Sequence, residues 1–298
     1  MTSDRSQAWQ PEHLAIIGVG LLGGSVALAA KQRWPSLKVV GSSRKEETRQ
    51  RMIELGIVDQ AYADVETCVA SADLIVVAAP VVQIASMLPM ISAASPPDAT
   101  ITDVGSTKQA IVDAAELDAA AAARFVGSHP IAGSEKSGLE YAVANLFRGK
   151  HCIVTSTDRT DQKRLEQVSQ FWRQLECRVV TMSPQQHDTA LAAASHMPHI
   201  VAAALAQSLP MEFASLTGTG FNDTTRIAAG DPLMWRQIVE ANASSVLDQL
   251  ERFGSRLESF RDAIKRADWD GVERLFSDAR TAKQQILRVV DRATSPDL

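Results

Sequence analysis

Gly18-Val19-Gly20-Leu21-Leu22-Gly23-Gly24 follows the apolar run Leu14 to Ile17 and opens an alanine-rich stretch. A strand, a glycine-rich turn and a small-residue helix in that order constrain the first half of the chain strongly. They are the context in which G-x-G-x-x-G holds the pyrophosphate of a dinucleotide at a helix N-terminus. The competing explanation is a cluster of glycines needed only for close packing.

Further short apolar runs follow at Lys38 to Val40, Leu74 to Ala78, Thr100 to Asp103, Phe125 to Val126, Cys152 to Val154 and Arg178 to Met182. Bounded by turn residues and separated by helical patterns, they predict an α/β Rossmann domain over 13–182, doubly wound around one mostly parallel sheet. After Ser183-Pro184 the β-branched runs stop and alanine, leucine and glutamine dominate. Ser183 suits an N-cap and Pro184 a first helical position, so a helix is expected to about Leu209. Further helices are expected from Pro232 to about Ala267, weakest at Gly254, and from Asp270 to about Thr294. So few helices cannot hide their own apolar faces, and the all-α half over 183–298 is expected to form a homodimer.

The charge balance excludes several functions. A net charge of −5, with both signs mixed along 298 residues, leaves no extended basic surface for nucleic acid. Cys68, Cys152 and Cys177 are isolated and lack metal-ligand spacing, so neither a disulfide framework nor a metal is indicated. The start lacks signal-peptide architecture and glycines interrupt the longest apolar stretch, which points to a cytoplasmic protein without a membrane span.

Where NAD-binding chains carry a carboxylate for the ribose 2′-hydroxyl, this sequence has Gly41-Ser42-Ser43-Arg44. Two hydroxyls and a guanidinium suit a 2′-phosphate, so NADP is favoured, with NAD the alternative; Arg44 could also be a solvated surface charge. The expected cofactor contacts are Gly18, Gly20, Leu21, Leu22, Gly23, Ser42, Ser43, Arg44 and Pro80. Pro80 ends the run from Asp73 and would border the nicotinamide.

Polar clusters supply the remaining candidates. Ser106 in Thr102 to Lys108 could cap a helix or touch a ligand. His129 follows a strand and precedes Pro130; an imidazole with an ordinary pKa of about 6.5 can accept a hydroxyl proton as hydride leaves the same carbon. Taken alone, it would more often be structural. Ser195 and His199 share a helical face if Pro198 does not break the turn, with His196 pointing elsewhere. Arg226 could grip a carboxylate through two parallel hydrogen bonds, or form a surface or inter-domain salt bridge.

These motifs together resemble the prephenate and arogenate dehydrogenase family of tyrosine biosynthesis. The resemblance runs from about residue 13 to 240. It is carried by GVGLLGGS near the start, DVGSTK at Asp103 to Lys108, GSHPIAGSEKSG at Gly127 to Gly138, SHMPH at Ser195 to His199 and DTTRIAAGDPLMW at Asp223 to Trp235. It implies a Rossmann domain, a helical dimerisation domain, and NAD(P)-dependent oxidative decarboxylation of a cyclohexadienol. It also implies that His129 takes the ring-hydroxyl proton, that Ser106 positions that hydroxyl and the histidine, and that Arg226 binds a carboxylate, with Ser195 and His199 completing the pocket. Asn222 stands where many relatives have arginine, which lowers the local positive charge. The rival readings are another two-domain NADP-dependent hydroxyacid dehydrogenase or imine reductase, and a nucleotide-sensing protein without turnover.

Overall fold

The computed structural model describes residues 9–132 and 138–294; Gly133 to Ser137 of the glycine-histidine motif lie outside the described residues. The chain forms two compact units, Met1–Ala243 and Ser244–Leu298.

Six parallel strands make the main sheet of the first unit: β1 His13–Ile17, β2 Lys38–Ser42, β3 Gln60–Tyr62, β4 Leu74–Val77, β5 Thr100–Asp103 and β6 Phe125–Val126, in the order β3-β2-β1-β4-β5-β6. The crossovers carry α1 Leu21–Arg33, α2 Glu46–Glu54, α3 Val65–Val69, α4 Val81–Ala94, α5 Gln109–Glu116 and α6 Ala119–Ala122. Both faces of the central strands are covered, which explains why they read as unbroken apolar runs. Leu14 and Ile16 pack with Val39, Val76 and Phe171, whereas Ala15 and Ile17 pack with Ile75, Val77 and Ile84 on the other face. Strand order reverses between β1 and β4, opening a crevice at their carboxyl ends where such sheets bind ligands.

The sheet beyond β6 differs from the single sheet expected. Ser128–Pro130 (β7), His151–Thr155 (β8) and Arg178–Met182 (β9) form a separate three-stranded sheet, β7 antiparallel and β9 parallel to β8. Helix α7, Gln162–Gln174, joins β8 to β9 and buries Phe171 and Trp172. The Trp172 indole N–H donates to Ser128 Oγ (2.9 Å), tying α7 to the strand that carries His129.

Ser183 opens α8, Pro184–Leu191, with the expected cap: its hydroxyl accepts from Gln186 N, and the Gln186 side chain accepts from Ser183 N. A π-helical turn, Ala192–His196, leads into α9, Met197–Ser208. Widening of the turn accommodates Pro198, which has no N–H to continue an α-helical ladder. Helices α10, Thr219–Thr225, and α11, Pro232–Ala241, follow, with a 3-10 turn at Arg226–Ala229 between them. The expected long helix from Pro232 breaks at Asn242, not at Gly254, which lies inside α12, Ala243–Lys265. Glycine has a low helix propensity, but at Gly254 the helix tolerates it; the break falls where the Asn242 side chain is drawn into tertiary hydrogen bonds. The last helix, α13, is Trp269–Thr294.

Pro184–Ser208 has the length and mean hydropathy, 1.3, of a helix that could cross a membrane. Its His187, Asp188 and His196 are buried and hydrogen-bonded to other segments of the same unit.

Candidate active site

The turn after β1 is built for close approach. Gly18 has φ +94°, and a Cβ there would lie 2.4 Å from the Ala78 carbonyl oxygen; at Gly23 a Cβ would lie 2.2 Å from the Gly18 carbonyl oxygen. Around the Gly20 Cβ position there is open space within 4 Å. No side chain caps α1, so the amides of its first turn, Leu21 and Leu22 among them, are free to face an anion. A tight turn, a bare helix end and an unfilled cradle at Gly20 fit the pyrophosphate of a dinucleotide. Pro80 lies just past β4, across the crevice from this turn, and is the N-cap of α4.

Ser42 ends β2, and Ser43 and Arg44 begin the loop beyond it. Arg49 braces that loop by donating to the Ser43 (2.7 Å) and Arg44 (3.0 Å) carbonyls. The Arg44 side chain is exposed and makes no hydrogen bond or ion pair with the described residues.

Beyond β5 the chain encloses a buried ion pair. Lys108 and Asp103 are both fully buried, and Lys108 Nζ bonds Asp103 and the Ser128 carbonyl (3.0 Å). Asp103 also accepts from Gly105 N (2.8 Å) and Ser128 N (3.0 Å), so one carboxylate joins the end of β5 to the start of β7. Burial pushes the Lys108 pKa down, while Asp103 pulls it back up. Ser106 lies in this loop, partly buried, and does not cap α5. Instead the Asp188 carboxylate of α8 accepts from Lys108 N (2.7 Å) and Gln109 N (2.9 Å), completing the N-terminus of α5 from another helix.

His129 is the middle residue of β7, with Pro130 fixing the backbone after it. Its Nδ1 lies 2.8 Å from His187 Nε2, and His187 Nδ1 lies 2.7 Å from Asp188 Oδ1. Burial holds the His129 pKa well below the usual imidazole range, and His187, Lys108 and His196 push it the same way. His187 is also lowered by burial, with Asp188 opposing. Burial thus favours the neutral form of both rings.

The helical segment brings further candidates into this neighbourhood. His196 faces the interior, where its Nδ1 accepts from Asn242 Nδ2 (3.2 Å), and Asn242 also donates to the Asp188 carbonyl (2.7 Å). Burial pushes His196 down to about 4. Ser195 and His199 do share a face: His199 Nδ1 donates to the Ser195 carbonyl (2.8 Å), and the His199 ring stacks on Trp235 at 3.8 Å between centroids. Trp235 in turn lies against Gly230, where a Cβ would meet its indole at 2.3 Å. Arg226 is exposed and has no hydrogen-bond or ion-pair partner among the described residues; burial lowers the His199 pKa, and the Arg226 charge adds to the lowering. Asn222 is exposed on α10, one turn before Arg226.

Hydrogen bonds thus join His129 to His187 and Asp188, and Asp188 through Asn242 to His196. Sequence reasoning missed His187, Asp188, Asn242 and Trp235. The His187-Asp188 dipeptide one turn after a capping box was the available signal, but nothing in the sequence alone ties it to His129.

The prephenate dehydrogenase nucleotide-binding domain model matches residues 26–181, and the prephenate dehydrogenase dimerization domain model matches residues 183–278. A prephenate dehydrogenase from Bacillus subtilis is 34% identical over 274 residues, covering 90% of this chain and 74% of that protein. Among solved structures, a prephenate dehydrogenase from A. aeolicus in complex with hydroxyphenyl propionate and NAD+ superposes with a TM-score of 0.86. It is 33% identical, with coverage of 94% of this chain and 100% of the other. A Synechocystis arogenate dehydrogenase superposes with a TM-score of 0.79 at 28% identity, over 92% of this chain and 99% of the other.

Proposed function

As the chain belongs to the prephenate dehydrogenase family, we propose that it catalyses the NAD(P)-dependent oxidative decarboxylation of prephenate, arogenate or both, in tyrosine biosynthesis. The observation that carries this reading is His129, partly buried and, among the described residues, with its ring hydrogen-bonded through Nδ1 only, on the strand joined by Asp103 to the end of β5. Residues 13–182 are assigned to nucleotide binding and residues 183–298 to substrate binding and pairing of subunits.

A bound nicotinamide dinucleotide would supply the hydride acceptor. Gly18, Gly20 and Gly23 with the amides of Leu21 and Leu22 would hold its pyrophosphate, and Pro80 would border its nicotinamide end. His129 takes the ring-hydroxyl proton on Nε2 as hydride leaves the carbinol carbon. Ser106 orients that hydroxyl. Arg226 grips a substrate carboxylate as a rigid fork, and Ser195 and His199 complete the wall beside it. With its Nδ1–H committed to Ser195, neutral His199 offers an acceptor at Nε2. Loss of the ring carboxylate as carbon dioxide leaves an aromatic product, which drives the sequence forward.

The test is formation of reduced cofactor from prephenate and from arogenate, each with NAD and with NADP. Turnover with at least one substrate is expected; its absence with both sinks the reading. For the cofactor, the missing carboxylate after β2 and the unengaged Arg44 favour NADP, whereas the A. aeolicus relative is a complex with NAD+. Arg44→Ala is expected to lower kcat/KM for NADP by about 10-fold or more, the value of a charge-assisted hydrogen bond, and to leave NAD almost unaffected. Equal losses with both cofactors would remove the 2′-phosphate assignment.

The helical half is proposed to join two copies into a homodimer. Leu257 on α12 and Phe276, Ile286 and Val289 on α13 are exposed to a degree that single helices rarely keep in water. Light scattering at micromolar concentration is expected to give the dimer mass, and a monomer mass alone refutes the pairing.

A further inference from the structure

The proton inventory of the buried imidazoles carries an inference beyond the assignment of a single base. Asp188 already accepts two backbone N–H groups, one at each oxygen, from Lys108 and Gln109. A carboxylate can only accept, so the 2.7 Å contact with His187 Nδ1 requires the proton to sit on that nitrogen. His187 is fully buried, and burial favours its neutral form, in which a proton on Nδ1 leaves a lone pair on Nε2. His129 Nδ1, 2.8 Å away, must then be the donor. A neutral imidazole has one N–H only, so the lone pair of His129 lies on Nε2, which has no hydrogen-bond partner among the described residues.

We propose that His187, held by Asp188, is a positioning residue that locks His129 in the tautomer able to accept a proton and then shares the charge it acquires. The proposal rests on His129 being the base assigned above. When His129 Nε2 takes the hydroxyl proton, its Nδ1 proton shifts to His187 Nε2. One proton enters, one moves along, and His129 is neutral again with its proton on Nε2. The positive charge now lies on His187, where the Asp188 carboxylate favours it; Lys108 opposes a charge on either ring, but of the two rings Asp188 bonds only to His187. The reverse shift resets the pair when His129 releases its proton to solvent. Among the described residues, the other ionisable groups acting on the two rings are Asp103 and Lys108, which pair with each other, and His196.

Two variants separate this role from packing. In His187→Gln the amide oxygen can accept from His129 Nδ1, so the tautomer is kept but no charge is shared. The expected result is a fall in kcat of about 10-fold, with the acidic limb of its pH profile moved to lower pH. His187→Phe keeps a ring but removes the acceptor, and kcat is expected to fall by about 100-fold or more, as when a catalytic histidine loses its orienting partner. Both variants should bind the dinucleotide like the parent protein. If His187→Phe keeps its Tm and its kcat stays within about 3-fold of the parent, or if both variants lose activity equally with unshifted pH profiles, the proposal is overturned.

Nitrogen-15 NMR of the histidines in the full chain reads the tautomer without any turnover. A protonated Nδ1 and bare Nε2 on His129 support the lock even if neither substrate reacts, an outcome that would remove the proposed function alone. A bare Nδ1 on His129 overturns the lock whatever the activity.

Discussion

His129→Asn is expected to lower kcat by about 10²- to 10⁴-fold, the contribution of a positioned general base. The asparagine side chain can still donate an N–H toward His187 Nε2, so the surrounding hydrogen bonds need not collapse. An amide has no basic lone pair, however, and cannot hold the hydroxyl proton while hydride departs. Dinucleotide affinity should be nearly unchanged, because the glycine turn and the open cradle at Gly20 belong to β1 and α1, whereas His129 sits on β7. Steady-state kinetics with a fluorescence titration of the cofactor separates the two quantities. Retained turnover would end the assignment of His129 as the base.

Lys108→Met should produce the largest loss of stability of any single change near the site, about 3–5 kcal/mol. Lys108 and Asp103 are both fully buried. Methionine fills much of the lysine volume but leaves the Asp103 carboxylate with only the Gly105 and Ser128 amides and no countercharge. Urea unfolding is the appropriate measurement, because a shift in midpoint at constant slope reports stability directly. The double change Lys108→Met with Asp103→Asn should recover most of the loss, since no unpaired charge then remains. Equal midpoints for Lys108→Met and the parent would mean that the pair is not ionised in the folded protein.

The parallel sheet was legible because its strands are covered on both faces: Leu74-Ile75-Val76-Val77 can hardly be anything but a buried strand. The glycine turn was legible for a related reason, since backbone contact at Gly18 and Gly23 excludes any side chain. Two strands carry no such signal. Gln60–Tyr62 is a three-residue edge strand with its first residue exposed. Ser128–Pro130 has no apolar run and ends in proline, which a sheet accepts only at an edge such as the one β7 occupies.

The sequence allowed a set of site residues to be proposed, but not the network that joins them. His129, Ser106, Ser195, His199 and Arg226 stand in recognisable local contexts. The partners that set their chemistry, His187, Asp188 and Asn242, come from distant stretches and meet the others only through the packing of α8 and α11. The contact of His196 with Asn242, 46 residues along the chain, has no local signal in the sequence.

Asp188 has two employers. The same carboxylate that holds the His187 ring also completes the first turn of α5. Selection therefore cannot adjust how firmly α5 is anchored without also retuning the basicity of the histidine pair. Thermostabilising substitutions around this corner should accordingly show up as altered pH optima, even where they lie well away from any bound molecule.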